Sequence, residues 1–223
     1  MPLATPVSPR ITDAFEMARV VHADDVLKGT DLPYLIHLLD VCSIALRHGA
    51  DEDEAIAALL HDVVEDGGGA PMLDEIGSAF GTRVADIVLA CSDSVEVDST
   101  NKPPWWPRKI AYVDHLRGAS TDVALVSAAD KFCNVRSIVT DLAVEGDAVF
   151  DKFRAGRVGT LWYYRRIAEI LPSRLADTPR ARRLGDSLRG AVDELVTAVP
   201  DADTDWEQAL ATEADTRASM SGH

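Results

Sequence analysis

From Ile11 onward the apolar residues recur at three- and four-residue intervals almost without a break, and the alternating Val, Ile and Thr runs that would announce strands are missing. A chain patterned this way can hide its apolar surface only by packing helix on helix, so the spacing predicts an all-α fold. Helices are expected over about 11–25, 33–48, 52–66, 71–79, 81–95, 106–117, 120–143, 158–171 and 180–198, with a short acidic one near 203–215. Asp51 followed by Glu54 has the reciprocal spacing of a capping box, and Gly67-Gly68-Gly69 stops the same helix. Pro103, Pro104 and Pro107 around Trp105 and Trp106 mark a stiff connection. At about 150 residues per domain, 223 residues suit a single one. It is expected over 11–200, after a loose proline-rich leader at 1–10 and before a solvated acidic tail at 201–223.

Twenty-two Lys and Arg against 37 Asp and Glu give a net charge of −15, a field that repels nucleic acid and anionic lipid. A phosphorylated small molecule stays within reach, because local cations or a metal ion reverse the sign inside a pocket. No stretch approaches the ~18 apolar residues of a membrane helix, and the opening MPLATPVSPR lacks the order of a secretory signal. A cytoplasmic protein with no membrane partner is therefore expected. Cys42, Cys91 and Cys133 stand far apart in apolar contexts and read as reduced core thiols.

The chemistry concentrates in Ala55 to Asp66, AIAALLHDVVED. At ~100° per residue His61, Asp62, Glu65 and Asp66 fall within an arc of roughly 140°, and Ile56, Leu59, Leu60, Val63 and Val64 fill the opposite one. Three carboxylates that close repel each other and call for a cation. His37, flanked by Leu35, Ile36, Leu38 and Leu39, is expected in a largely buried helix where its imidazole needs a polar partner. Asp130 follows the apolar run VALVSAA, where an uncompensated carboxylate would cost several kcal/mol. His37, His61, Asp62 and Asp130 together form a mixed nitrogen and oxygen set suited to Mn²⁺, Fe²⁺ or Zn²⁺. Glu65 and Asp66, one turn on, stand where they could take a proton from water. Trp105, Trp106, Trp162, Tyr163 and Tyr164 read as packing anchors, and His22, His48 and His115 as solvent-facing or hydrogen-bonded in the core rather than ligating.

The order His37, His61-Asp62, Asp130 resembles the H…HD…D pattern of the HD superfamily of metal-dependent phosphohydrolases. LPYLIH, AALLHDVVEDGG, Phe80-Gly81 and AADKFCNVR are similar to the hydrolase region of the RelA/SpoT group and its small stand-alone alarmone hydrolases, over roughly residues 14 to 170. The resemblance implies a helical HD-domain fold and one Mn²⁺ on His37, His61, Asp62 and Asp130. It further implies hydrolysis of the 3′-pyrophosphate of (p)ppGpp, with Glu65 and Asp66 as the catalytic acidic pair. Asn134 and Lys28 match residues that line the nucleotide pocket, Arg136 is placed there by proximity, and Arg108 and Lys109 resemble another basic pair. Two departures stand out. The family's arginine before the lysine is Leu27, which forfeits guanidinium stacking on the purine, about 1–2 kcal/mol, and A-D-R-L-H-N appears with Lys131 and Cys133. The expected function is thus a (p)ppGpp 3′-pyrophosphohydrolase, with hydrolysis of another nucleotide or a sensor without turnover as the alternatives. No synthetase region is expected, and association of copies is left open.

Overall fold

A computed structural model describes residues 8–96 and 102–221. The helices are α1 (Arg10–Val21), α2 (Leu35–Arg47), α3 (Glu52–Leu60), α4 (Val63–Gly67), α5 (Ala70–Phe80) and α6 (Thr82–Cys91). They continue with α7 (Trp105–Leu116), α8 (Thr121–Glu145), a 3₁₀ segment Gly146–Lys152, α9 (Gly156–Arg174), α10 (Pro179–Ala198) and α11 (Ala202–Ser221). No strand forms among the described residues, and the only extended pairing there is an isolated bridge between Val26 and Pro33. The fold is all-α, as the periodicity requires. Residues 1–7 of the expected leader lie outside the described residues, and Arg10 already opens α1.

Helix α8 is the axis of the molecule. Every residue from Val123 to Asp130 is buried, because α2, α3, α6, α9 and α10 all pack against it. Ser120 starts it by accepting from the Val123 amide at 3.3 Å, and Gly146, at φ +62°, ends it. The capping box of α3 forms as its spacing predicts: Glu54 N–H donates to Asp51 at 3.0 Å and Asp51 N–H to Glu54 at 2.6 Å.

Three expectations are corrected. The helix expected over 52–66 breaks into α3 and α4 at a turn over His61–Asp62, where Asp62, at φ −99°, ψ −9°, lies at the edge of the helical region. The helix of His37 is not largely buried: Leu38, Val41 and Ala45 face the core, but Ile36 and Leu39 face solvent. Lastly, residues 202–221 form a full helix packed on α7 and α9 instead of a solvated tail. Its inward stripe is acidic: Asp205 and Glu213 flank Ala209 at four-residue spacing, and arginines of α9 meet them. Glu213 accepts from the Trp162 indole at 2.8 Å and from Arg166 at 2.8 Å, while Asp205 pairs with Arg157 at 2.9 Å. The expected short acidic helix near 203–215 is thus longer, and apolar periodicity passes over its docking because charge holds it. Glu213→Ala is expected to cost about 2–4 kcal/mol, since it strands a buried indole N–H and a half-buried guanidinium. Urea unfolding of wild type and variant checks this.

The aromatic residues pack as expected. Trp162 is fully buried, with Trp106 and Trp105 at ring separations of 4.8 and 6.0 Å. All three cysteines are free and buried.

Candidate metal centre and its acidic pair

Three segments converge on one point. His37 comes from the first turn of α2, His61 and Asp62 from the break between α3 and α4, and Asp130 from the middle of α8. His37 Nε2 lies 3.3 Å from Asp130 Oδ1 and 3.8 Å from Asp62 Oδ2. His61 Nε2 lies 3.0 Å from Asp62 Oδ2 and 3.6 Å from Asp130 Oδ1. With metal–ligand bonds of about 2.1 Å, neighbouring ligand atoms stand about 3.0 Å apart in an octahedron and about 3.4 Å apart in a tetrahedron. The observed separations bracket those values.

The donor chemistry fits a cation as well. His61 Nδ1 is 2.9 Å from the Ala58 carbonyl, which fixes the ring and turns Nε2 to the centre. There Nε2 is buried with no hydrogen-bond partner, an orphan atom that a metal ion would satisfy. Asp130 is held from behind. Lys131 pairs with its Oδ2 and Asn134 donates to its Oδ1. The Lys131 ammonium stands over the rings of Tyr112 and Tyr163, at 5.6 and 5.8 Å. Tyr34 Oη donates to Asp62 Oδ2, and burial followed by the Asp62 charge raises the phenol pKa, so Tyr34 stays a donor.

Electrostatics divide the carboxyl groups in two. Burial works against the Asp130 charge, but Lys131 and His61 outweigh it and hold its pKa well below the usual range; Asp62, beside His61, is likewise lowered. Glu65 moves the other way: burial, then the charges of Asp93 and Asp62, push its pKa up to about 7. Asp66 is raised by burial and by Asp62. Glu65 Oε1 accepts from the Asp93 amide at 2.7 Å, and the Asp93 carboxylate is buried between Arg108 and Lys109.

His37, His61 and Asp62 place their ligand atoms within 4.8 Å of one another; Asp130 stands outside that group and joins it only through its 3.3 and 3.6 Å approaches to the two histidines, with the acidic pair one turn beyond Asp62. The expected substrate contacts do not gather as neatly. Asn134 reaches Asp130 itself. Lys28 is exposed, its ammonium 5.4 Å from the Phe153 ring. Arg136 pairs with Glu194 of α10 at 2.6 Å, so proximity in sequence to Asn134 does not bring its guanidinium to the centre. Arg108 and Lys109 are consumed by Asp93. Sequence reasoning passed over Tyr34, Asp93 and Lys131 as parts of the site. Tyr34 had a signal, three residues before His37 and so on the same face, whereas Asp93 had none.

Residues 14–161 match the family described as the HD domain, and the chain belongs to that family. Within it, the chain is similar to enzymes named guanosine-3′,5′-bis(diphosphate) 3′-pyrophosphohydrolase. One from Aquifex aeolicus is 41% identical over 128 residues, 57% of this chain and 18% of that protein. One from Drosophila melanogaster is 27% identical over 139 residues, 61% of this chain and 73% of that protein. The chain thus spans less than a fifth of the Aquifex relative and nearly three quarters of the fly one. Among solved structures, a metazoan SpoT ortholog described as hydrolysing ppGpp superposes with a TM-score of 0.63 at 22% identity, covering 87% of this chain and 97% of that one; at that identity the likeness shows the fold. A Listeria monocytogenes protein superposes at 0.57 with 28% identity, covering 70% of this chain and 99% of that one.

Proposed function

We propose that the chain is a divalent-metal-dependent phosphohydrolase that removes the 3′-pyrophosphate of guanosine 3′,5′-bis(diphosphate), releasing pyrophosphate and GDP or, from the pentaphosphate, GTP. The observation that carries this reading is the convergence of His37, His61, Asp62 and Asp130 on the orphaned Nε2 of His61, with Glu65 and Asp66 beside them. The names of the relatives supply the substrate. A divalent ion, with Mn²⁺ our choice for a mixed imidazole and carboxylate set, supplies Lewis acidity and lowers the pKa of water at the site.

The chain's own groups do the rest. Glu65, with its carboxyl near 7, is matched to accepting a proton from the attacking water at neutral pH. The Asp93 amide holds one Glu65 oxygen, so the carboxyl cannot turn freely. Asp66 orients the same water. Lys131 and Asn134 fix Asp130, and Tyr34 fixes Asp62, so the ligand atoms are in place before substrate arrives. Among the described residues no helix is long and apolar enough to cross a membrane, and we assign the reaction to the cytoplasm.

Leu27 favours a second reading, another nucleotide as substrate. Its backbone closes a tight turn with Leu32 and Thr30, at 2.8 and 3.0 Å, and its side chain brings no cation to a purine. Purified protein with Mn²⁺ is offered ppGpp, GTP, dGTP, GMP and ADP-ribose, with products resolved by ion-exchange chromatography. Pyrophosphate release from ppGpp is expected. An intact ppGpp peak beside a consumed competitor would move the assignment to the second reading.

A further inference from the structure

His22 lies just past the end of α1, and its side chain is fully enclosed. Nδ1 stands 2.9 Å from Oδ2 of the half-exposed Asp25, which fixes the outer edge of the ring. Nε2, on the opposite edge, is buried and has no hydrogen-bond partner. Such an atom costs about 1–3 kcal/mol if left unsatisfied. The ring leans on Tyr34 at 5.0 Å, the same tyrosine that donates to Asp62.

What brings His22 here is the docking of α1 on α4. Gly67 permits it: a Cβ at that position would lie 2.4 Å from Cγ1 of Val21, the residue just before His22. Asp66 is the residue just before Gly67; burial and then the Asp62 charge raise its pKa, and His22 works in the opposite direction. Two backbones in close approach therefore bring the segment of an oriented imidazole to the segment of the second acid, with no direct hydrogen bond between the two side chains.

We propose that His22 is a positioning residue for Asp66: Asp25 accepts from Nδ1–H, and Nε2 and the Asp66 carboxylate each accept from one bridging water, which sets which way that carboxyl turns. This rests on Asp66 serving the reaction proposed above. The assignment separates the two edges of the ring. Glutamine can place its amide near the Nε2 position, whereas asparagine reaches only the Nδ1 position and Asp25.

Metal-free protein with ¹⁵N-labelled histidine is compared with Asp66→Asn in two-bond ¹H–¹⁵N correlation spectra. The His22 Nε2 line is expected to move by several ppm while Nδ1 stays. An unmoved Nε2 line overturns the proposal. In Mn²⁺-loaded protein, His22→Asn and His22→Ala are expected to lose about 10- to 100-fold in kcat at unchanged KM, the range for a group that orients a working residue. His22→Gln should retain kcat within about fivefold, and all three should bind Mn²⁺ like wild type by electron paramagnetic resonance. Activity kept by Asn and lost by Gln would assign His22 to anchoring Asp25 and overturn the proposal. If the variants fail to fold, the spectra of the Asp66→Asn pair decide alone. They also need no turnover, so a protein inert toward every nucleotide would sink the functional reading without touching this result.

Discussion

Asp130→Ala is expected to abolish Mn²⁺ binding, to lower hydrolysis by more than about a thousandfold, and to weaken the fold itself by about 3–5 kcal/mol. The two losses have different causes. Asp130 Oδ1 faces His37 and His61, where the ion would sit, while Oδ2 pairs with Lys131. Removing the carboxylate leaves the Lys131 ammonium in the core with only the Tyr112 and Tyr163 rings for company, a buried charge without its partner. Adding Lys131→Met removes that stranded charge, so the double variant is expected to recover most of the stability and none of the activity. Urea unfolding with chelator present, paired with metal titration and the ppGpp assay, separates the two effects. Asp62→Ala provides the control: Asp62 is partly exposed and pairs with no lysine, so metal and turnover should vanish with a smaller change in stability. Hydrolysis surviving in either single variant would refute the centre.

The centre was legible in the sequence for the reason that makes it costly. His37, His61 and Asp130 are polar groups in runs of Leu, Ile, Val and Ala, and a polar residue at a position that must be buried demands a partner. The partners that complete the site broke no such pattern. Asp93 sits in a short polar stretch, SDS, and becomes significant only because the end of α6 brings its amide to Glu65. Lys131 looked like a surface lysine beside Asp130 until α7 and α9 placed Tyr112 and Tyr163 over it. The docking of α11 escaped because its inward residues are Asp205 and Glu213, which periodicity counts as solvent-facing; the arginines that make them core residues lie some fifty positions away on α9. Arg136 erred in the other direction, nearness in sequence to Asn134 being taken for nearness in space. Tertiary charge pairing, unlike an apolar stripe, leaves no trace at fixed spacing.

Glu65→Gln tests the acidic pair on two scales, and the signs are opposite. In metal-free protein the Glu65 carboxyl ionises at about 7, against an ordinary value near 4.5, because burial and the neighbouring Asp93 and Asp62 charges penalise the anion. A carboxyl whose folded pKa is raised favours the folded state fully below the unfolded value, and that contribution is lost as pH rises through the folded one. Between pH 4.5 and 7 the loss accumulates to on the order of 3 kcal/mol, and it stays lost above. Gln carries no proton to lose and can still accept from the Asp93 amide. The chelated variant is therefore expected to match wild type near pH 4.5 and to exceed it in stability by up to about 3 kcal/mol at pH 8. In the Mn²⁺-loaded enzyme the same change is expected to cut kcat by about 10²- to 10⁴-fold, since an amide cannot take a proton from water. A gain in stability joined to a loss of turnover is the mark of a group kept strained for its chemistry. A chelated variant no more stable than wild type at pH 8 would show that Glu65 ionises there without penalty, and an undiminished kcat would remove it from the reaction.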